Sequence, residues 1–299
     1  MSSKFAVIFQ ISKHCQAMSS SKSPTYSSMY ERMSGNCTRL IAKEIVCSAS
    51  PPITDSSYIL DNACGPGIVS EQVKAQHPNA RIMAADLSPA MIEEVMQRIK
   101  TEGWNDVETD TLDVRSLSSL KDNTFSHVFT NLGLPIPGDI GSSTKVISEI
   151  FRVLKPGGMG SISTWADRVW LTAFYNTASI IRPNEKPQTL MALDPQVLRG
   201  SWLATTLEDG GFANNIEVKP CVTYTMASSL DELTDNMMLA KQMFFSGYSE
   251  EELFLARNVL RDELQKLRTF EVFDGGVRIG MKAWIGRGWK RGDEAETVV

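Results

Sequence analysis

Side chains that mark metal, disulfide and nucleic-acid chemistry are scarce in this sequence of 299 residues. It has five cysteines and three histidines, and no two cysteines are spaced as CxxC. An odd number of scattered thiols suggests neither a disulfide framework nor a zinc site. The 30 basic and 35 acidic residues give a net charge of −5, so no excess positive field attracts a phosphate backbone or an anionic lipid. We predict no metal, nucleic acid or membrane partner, and the sequence leaves the oligomeric state open.

Long uncharged apolar runs are missing as well. No stretch approaches the roughly 18 apolar residues that a membrane helix requires. The apolar start FAVIFQI (5–11) runs on without a small-residue cleavage pattern, so we expect a cytoplasmic protein. Residues 17–28 are rich in serine and have no period. We therefore expect residues 1–28 to form a flexible segment and residues 29–299 to form a single domain.

Strands and helices alternate along the first half of the chain. The stretch SPAMIEEVMQRIKTEGW is typical of the helices, with Ser88 at the N-cap, Pro89 at the first helical position and Gly103 near the end. Helices between successive strands indicate an α/β fold with a doubly wound, mostly parallel, Rossmann-like sheet. The predicted strands of this half are residues 57–63, 80–87, 106–114, 125–134 and 159–165.

The second half of the chain changes character. Residues 215–226 and 276–290 alternate like strands, and strongly amphipathic helices lie between them. We predict that these two strands pair antiparallel at the edge of what is then a seven-stranded sheet. Residues 227–272 are expected to form a helical cap inserted before the last strand, and helices in residues 29–46 are expected to act as an N-terminal lid.

The stretch ILDNACGPGIV (59–69) begins as a strand and breaks into glycines. Ligands of open α/β sheets bind at the carboxyl ends of the strands, usually near the first strand-turn-helix. Gly65 and Gly67 let the backbone approach a ligand, and Asp86 at the end of the second strand can accept both hydroxyl protons of a ribose. These residues predict a nucleoside cofactor. Ser70 stands at the third small position of a dinucleotide fingerprint, so a nicotinamide-dependent dehydrogenase stays open.

A third acid, Asp113, favours a cationic nucleoside cofactor over a dinucleotide. We expect Asp113 to end the third strand at the same sheet edge, where it can accept from the exocyclic amine of adenine while Val114 packs on the ring. The alternative is that Asp113 caps a helix in RSLSSL. Together with Asp61 and Asp86, this acid would repel a pyrophosphate but suits a cofactor whose amino and sulfonium groups are cationic.

Taken in order, these stretches resemble the class I S-adenosylmethionine-dependent methyltransferases. The resemblance covers residues 57–165 and rests on ILDNACGPG, AADLSPAMI, LDV, HVFTNLGL and EIFRVLKPGGMGSIS. The motifs LDNACG, DLSPAMIEE and FRVLKPGG are similar to those of fungal small-molecule methyltransferases, which include the gliotoxin bis-thiomethyltransferase. The resemblance implies S-adenosyl-L-methionine as cofactor and methyl transfer as the reaction. The sequence departs from the family at Ala63, where the first glycine of the turn usually stands.

The resemblance also implies a role for each matching position. Tyr30 resembles a lid tyrosine of the fungal subgroup, and a packing aromatic is the equal alternative. The other implied cofactor contacts are Asp61, Ala63, Gly65 and Gly67 to the methionine portion, Asp86 to the ribose, Leu87, Val114 and Asp113 to the adenine, and Asn131 beside the sulfonium end.

No histidine is placed as a general base, and we assign no catalytic residue. His127 lies inside the fourth strand, where a hydrogen-bonded core histidine is expected. A thiol or an amine needs less deprotonation than a hydroxyl, so a thiol or amine acceptor is favoured, with a hydroxyl, assisted by a carboxylate such as Glu31, as the alternative. Trp165, Met237 and Phe244 are expected to bind a small, mainly hydrophobic metabolite of fungal secondary metabolism. For the two residues of the insert, the alternative is plain core packing.

Two functions of other classes stay open at this point. One is a regulatory protein of a biosynthetic complex that keeps the fold and cofactor without turnover. The other is the nicotinamide-dependent dehydrogenase, which Ser70, Asp113 and the lack of a Tyr-x-x-x-Lys pair all disfavour.

Overall fold

The computed structural model describes residues 31–136, 138–187, 193–213 and 215–291. Within these residues the strands are β1 (Tyr58–Asn62), β2 (Arg81–Asp86), β3 (Val107–Thr111), β4 (Phe125–Asn131), β5 (Leu154–Asp167), β6 (Ile216–Ala227), β7 (Phe270–Phe273) and β8 (Gly276–Trp289). The α-helices are α1 (Cys37–Cys47), α2 (Ile68–Gln76), α3 (Pro89–Glu102), α4 (Ser143–Val153), α5 (Trp170–Ile181), α6 (Gly200–Leu207), α7 (Leu230–Met238), α8 (Lys241–Phe244) and α9 (Glu250–Gln265).

The strands form one sheet in the order β3-β2-β1-β4-β5-β8-β6, and the short β7 pairs with β8. The pairs among β1 to β5 are parallel, whereas β8 lies antiparallel between β5 and β6. The predicted doubly wound sheet with an antiparallel edge is therefore confirmed. The strand order reverses between β1 and β4, and this is the place where open α/β sheets bind ligands.

The core lies on both faces of the sheet because successive side chains of a strand point to opposite sides. Ile59 of β1 packs with the face covered by α1, α2 and α3, whereas Leu60 packs with the face covered by α4 and α6. A further apolar cluster joins α5, α7, α8 and α9 to the first half of β8. That half of β8 extends past Asp167, the last residue of β5, so the cluster overhangs the carboxyl ends of the strands.

Several predicted boundaries were wrong. Residues 195–212, between β5 and β6, form a short 3-10 turn, α6 and a wide turn in which Gly211 has a φ of 120°. The helical cap expected over 227–272 is helical only as far as Gln265, because β7 follows at Phe270–Phe273. The sequence pattern missed both β7 and the helix α5. The strand expected over 159–165 extends from Leu154 to Asp167, so the preceding KPGG (155–158) also lies within β5. Among the described residues, no helix is both long and apolar enough to cross a lipid bilayer.

Candidate functional site

The turn after β1 is built from three residues with left-handed backbone. The φ angles of Ala63, Gly65 and Gly67 are 55°, 52° and 84°. Gly67 begins α2, and a Cβ there would lie 3.2 Å from Val95 of α3. A Cβ at Gly65 would meet no atom of residues 31–136, 138–187, 193–213 or 215–291 within 4 Å. Gly67 is therefore needed for helix packing, whereas Gly65 keeps an open approach to the backbone at the sheet edge.

Ala63 adopts a backbone conformation that favours glycine, and the structure accommodates its methyl group in the loop after β4. A Cβ added to Gly133 would lie 2.9 Å from the Cβ of Ala63 and 2.9 Å from Cγ2 of Thr130. Gly133 therefore leaves the space that the Ala63 methyl group occupies. Alanine stands at position 63 in place of the usual glycine, and a glycine 70 residues later in the chain, Gly133, leaves room for its methyl group.

Asp61 is buried under the turn, with 1% of its surface exposed. Its Oδ2 accepts from the backbone N–H of Ser70 at 2.9 Å and from the Ser70 hydroxyl at 2.7 Å. Its Oδ1 has no hydrogen-bond partner among the described residues. Burial raises the pKa of Asp61 to about 6, although the Ser70 hydrogen bonds oppose the shift. The side chain of Asp61 is therefore a buried acid with one unused acceptor atom.

Asp86 ends β2 beside the turn and keeps acceptor capacity. Its Oδ2 accepts from the backbone N–H of Gly65 at 2.9 Å, and its Oδ1 accepts from that of Ser88 at 2.9 Å. Each carboxylate oxygen has two lone pairs, so each retains one. The next residue, Leu87, is 59% exposed despite its apolar side chain. An acid with free lone pairs thus lies next to an uncovered apolar surface.

Asp113 does not end the third strand, as the sequence pattern predicted, because β3 ends at Thr111. The carboxylate of Asp113 accepts instead from the backbone N–H of Arg115 at 2.9 Å, which turns the chain. No helix follows Asp113, so the helix-cap alternative is also wrong. Arg115 pairs with Asp113 and also with Asp139 of the loop after β4. Val114 is half-buried and packs against the core.

Asn131, the last residue of β4, is held by hydrogen bonds on both sides of its amide. Its Nδ2 donates to the carbonyl of Thr38 in α1 at 3.1 Å, and its Oδ1 accepts from the Ser163 hydroxyl at 2.8 Å. The same hydroxyl accepts from the backbone N–H of Leu132 at 2.8 Å. The strand expected to reach residue 134 ends at Asn131 because Leu132 has a φ of 58°. Sequence reasoning missed Ser163, since no pattern in the chain links it to β4.

The three residues expected to bind the acceptor are placed differently. Trp165 lies on β5 and packs partly buried against two clusters. Met237 and Phe244 are each 1% exposed, and the ring of Phe244 stacks on that of Phe174 at a centroid distance of 4.1 Å. This is the core packing that the sequence left open as an alternative for both. Tyr30 lies outside the described residues.

The candidate bases are engaged in contacts away from the carboxyl ends of the strands or in ion pairs. The ring of His127 is 2.9 Å from the Ser126 hydroxyl through Nδ1 and 2.8 Å from the Pro51 carbonyl through Nε2. Burial lowers the pKa of His127. The carboxylate of Glu31 pairs with Arg39 and Arg98, which both pair with Glu71.

Comparisons with known proteins find similar sequences over much of the chain. A methyltransferase domain model matches residues 59–158. The chain is 30% identical over 246 residues to the methyltransferase ucsB of Acremonium sp, covering 77% of this chain and 82% of that protein. It is 30% identical over 118 residues to the acetylaranotin bis-thiomethyltransferase of Aspergillus terreus, covering 38% of this chain and 37% of that protein.

Solved structures show the same fold. A phosphoethanolamine N-methyltransferase 2 of Haemonchus contortus, determined with S-adenosylhomocysteine, superposes with a TM-score of 0.56 at 17% identity. That match covers 89% of this chain and 57% of that protein. At this identity the likeness concerns the fold alone.

Proposed function

This chain belongs to the class I S-adenosylmethionine-dependent methyltransferases, and we propose that it methylates a thiol or an amine of a small, mainly hydrophobic metabolite. S-adenosylmethionine is its cofactor, and the dehydrogenase alternative is set aside. The observation that carries the choice of acceptor is that His127 and Glu31 are already engaged by other protein groups. Neither side chain offers a free base at the carboxyl ends of β4 and β5.

Two features of the turn support its assignment to the methionine portion of the cofactor. The unused Oδ1 of Asp61 is a buried acceptor, and such groups are rarely left without a partner. The open side of Gly65 leaves room for a ligand against the backbone. Asp86 would hold the ribose through its two remaining lone pairs, and Leu87 would cover one face of the base. The bound cofactor supplies a methyl group activated by an adjacent sulfonium.

Transfer to the acceptor is an in-line displacement at the methyl carbon. Holding the two reacting atoms in contact can lower the barrier by several kcal/mol, on the order of 7 to 11 in the best cases. A thiolate or a neutral amine needs no protein base, whereas a phenol or an alcohol needs one. The chain's part in the reaction would therefore be positioning. Ser163 and Thr38 hold the amide of Asn131 at the end of β4, where it would lie beside the sulfonium end of the bound cofactor.

The apolar cluster that overhangs the strand ends supports a hydrophobic acceptor. Met33, Trp165, Tyr175 and Met243 are only partly buried where they pack against it, so their free surfaces can form the wall of the acceptor site. Phe244 would lie behind this wall as its support. The fungal relatives, one of them a bis-thiomethyltransferase by name, favour a metabolite of fungal secondary metabolism. A regulatory role without turnover remains the second candidate, and turnover would reject it.

The test uses dithiol, amine and phenol acceptors built on one apolar skeleton, with release of S-adenosylhomocysteine as the readout. We expect turnover of the thiol or the amine, with a rate that follows the acceptor's own pKa as pH rises. Turnover of the phenol alone would overturn the proposal.

The replacement Trp165→Leu should raise the acceptor KM about tenfold and leave cofactor affinity within about threefold, since a large hydrophobic contact is lost. The control is Trp104→Leu. Trp104 follows α3 and lies toward the opposite edge of the sheet, which β3 forms.

A further inference from the structure

The contacts of Asp113 disagree with the role that the family resemblance implies for it. Three N–H groups of Arg115 reach its carboxylate. The backbone N–H donates to Oδ1 at 2.9 Å, Nε lies 2.9 Å from Oδ1 and 3.0 Å from Oδ2, and Nη2 donates to Oδ2 at 2.6 Å. The Nε–H is shared between the two oxygens, so three N–H groups of Arg115 engage the roughly four lone-pair sites of the carboxylate.

Arg115 is also fixed from its other side. Its Nη1 donates to Oδ2 of Asp139 at 3.1 Å, and the Asp139 carboxylate in turn accepts from the Ser142 hydroxyl. Arg115 lowers the pKa of Asp113, so the acid keeps its charge and its partner throughout the neutral range. Two-point contacts between arginine and a carboxylate are among the stronger exposed ion pairs. A neutral amine would have to compete with these three N–H groups to reach Asp113.

Asp86 provides a contrast within the same site. Its carboxylate accepts one backbone N–H at each oxygen and makes no ion pair within the described part of the chain, so it remains able to receive ligand hydroxyls. The apolar surfaces needed to hold a flat ring are present in the exposed Leu87 and the half-buried Val114. The site thus offers strong polar recognition toward the ribose and mainly apolar contact toward the base.

We propose that Arg115 sequesters Asp113, so that this enzyme holds the cofactor's base by shape and apolar contact and discriminates little for its 6-amino group. The inference rests on the cofactor site of the proposed function. Arg115 is then a specificity-determining residue, because releasing Asp113 would create an acceptor for the amine. It also joins the loop after β3 to the loop after β4 through Asp139.

The experiment measures calorimetric affinity for S-adenosylhomocysteine and for the analogue whose purine lacks the 6-amino group but keeps N1 as an acceptor. In the parent protein we expect the two dissociation constants to differ by less than about threefold. In Arg115→Gln the analogue should bind about tenfold more weakly than S-adenosylhomocysteine, as expected for one hydrogen bond to a freed carboxylate. The control Arg81→Gln, which breaks an exposed ion pair with Glu108, should behave like the parent.

The proposal fails if the parent already prefers the amino compound about tenfold. It also fails if Arg115→Gln leaves the ratio at the parent value. Failure of the cofactor assignment gives a different result, since neither compound would then bind the parent. The parent measurement needs no variant, so misfolding of Arg115→Gln would not prevent a decision.

Discussion

Residue 63 combines a strained backbone with a specific packing partner. A left-handed conformation costs an L-residue roughly 1 to 2 kcal/mol, and glycine loses about 0.5 to 1 kcal/mol more entropy on folding than alanine. We therefore expect Ala63→Gly to raise the free energy of unfolding by about 0.5 to 1 kcal/mol. Urea denaturation measures it, and a less stable Ala63→Gly would contradict the strain argument.

The partner substitution tests the same contact from the other side. Gly133→Ala places its Cβ 2.9 Å from both Ala63 and Thr130, so it should lower the free energy of unfolding by about 1 to 3 kcal/mol. The double variant should recover part of this loss, because one of the two clashes is removed. Strict additivity of the two single changes would show that Ala63 and Gly133 do not share the space.

The buried carboxyl group of Asp61 should make the free energy of unfolding depend on pH in the parent, and Asp61→Asn should remove this dependence. The unfolded carboxyl group ionises near its ordinary pKa of 3.8, whereas the folded one keeps its proton to about pH 6. The folded state thus binds more protons between these values, and its stability falls as pH rises through this window, by about 3 kcal/mol in total. Asp61→Asn keeps an oxygen for Ser70 and removes this loss.

We expect the stability difference between Asp61→Asn and the parent, both free of cofactor, to grow from pH 4 to pH 7. Urea denaturation at a series of pH values measures it. A difference that stays constant with pH would show that the buried acid does not titrate in this range. In the same variant, affinity for the cationic cofactor should fall, because the buried negative charge is lost.

At the scale of single elements, α9 has the most explicit start signal. The Ser249 side chain accepts from the Glu252 backbone at 3.2 Å, and the Glu252 carboxylate accepts from the Ser249 backbone at 2.7 Å. Arg182, which follows α5, also pairs with Glu252 and lowers the pKa of its carboxyl group to about 2. The cap therefore ties the beginning of α9 to the end of α5.

Loss of this cap should weaken α9 selectively. We expect Ser249→Ala to lower the free energy of unfolding by about 1 kcal/mol, with faster amide hydrogen exchange in the first turn of α9. Ser249→Thr keeps the hydroxyl and serves as the control. Equal loss in both variants would show that the hydroxyl does not act as a cap.

The strand β6 lies at an edge of the sheet, and its sequence disfavours pairing with a strand from another molecule. Lys219 and Pro220 stand in its middle, and proline lacks the N–H that another strand would need. The alternation of residues 215–226 predicted the strand itself. The short β7 was not predictable, because four residues give too few alternations to separate a strand from a loop.

At the scale of the whole molecule, the two halves of the proposed site differ in how well their residues could be predicted from the sequence. The proposed cofactor half would lie on consecutive strand ends of a parallel sheet, so Asp61, Asp86 and the glycine turn were visible as ordered motifs. The proposed acceptor half would join Met33, β5 with α5, and α8 of the insert, which are far apart in the chain. Met237 and Phe244 show the consequence, since helical spacing alone could not separate a buried stripe from a pocket wall.

The sequence by itself determined the sheet, the cofactor class and the family, because strand-helix alternation and glycine turns are local properties of the chain. Only the tertiary structure decided that Gly133 makes room for Ala63, that Ser163 holds Asn131 and that Arg115 occupies Asp113. Each of these depends on which lone pairs and which small volumes remain free once the loops are folded. Such vacancies arise from contacts between distant or irregular segments, and no periodic pattern in the chain encodes them.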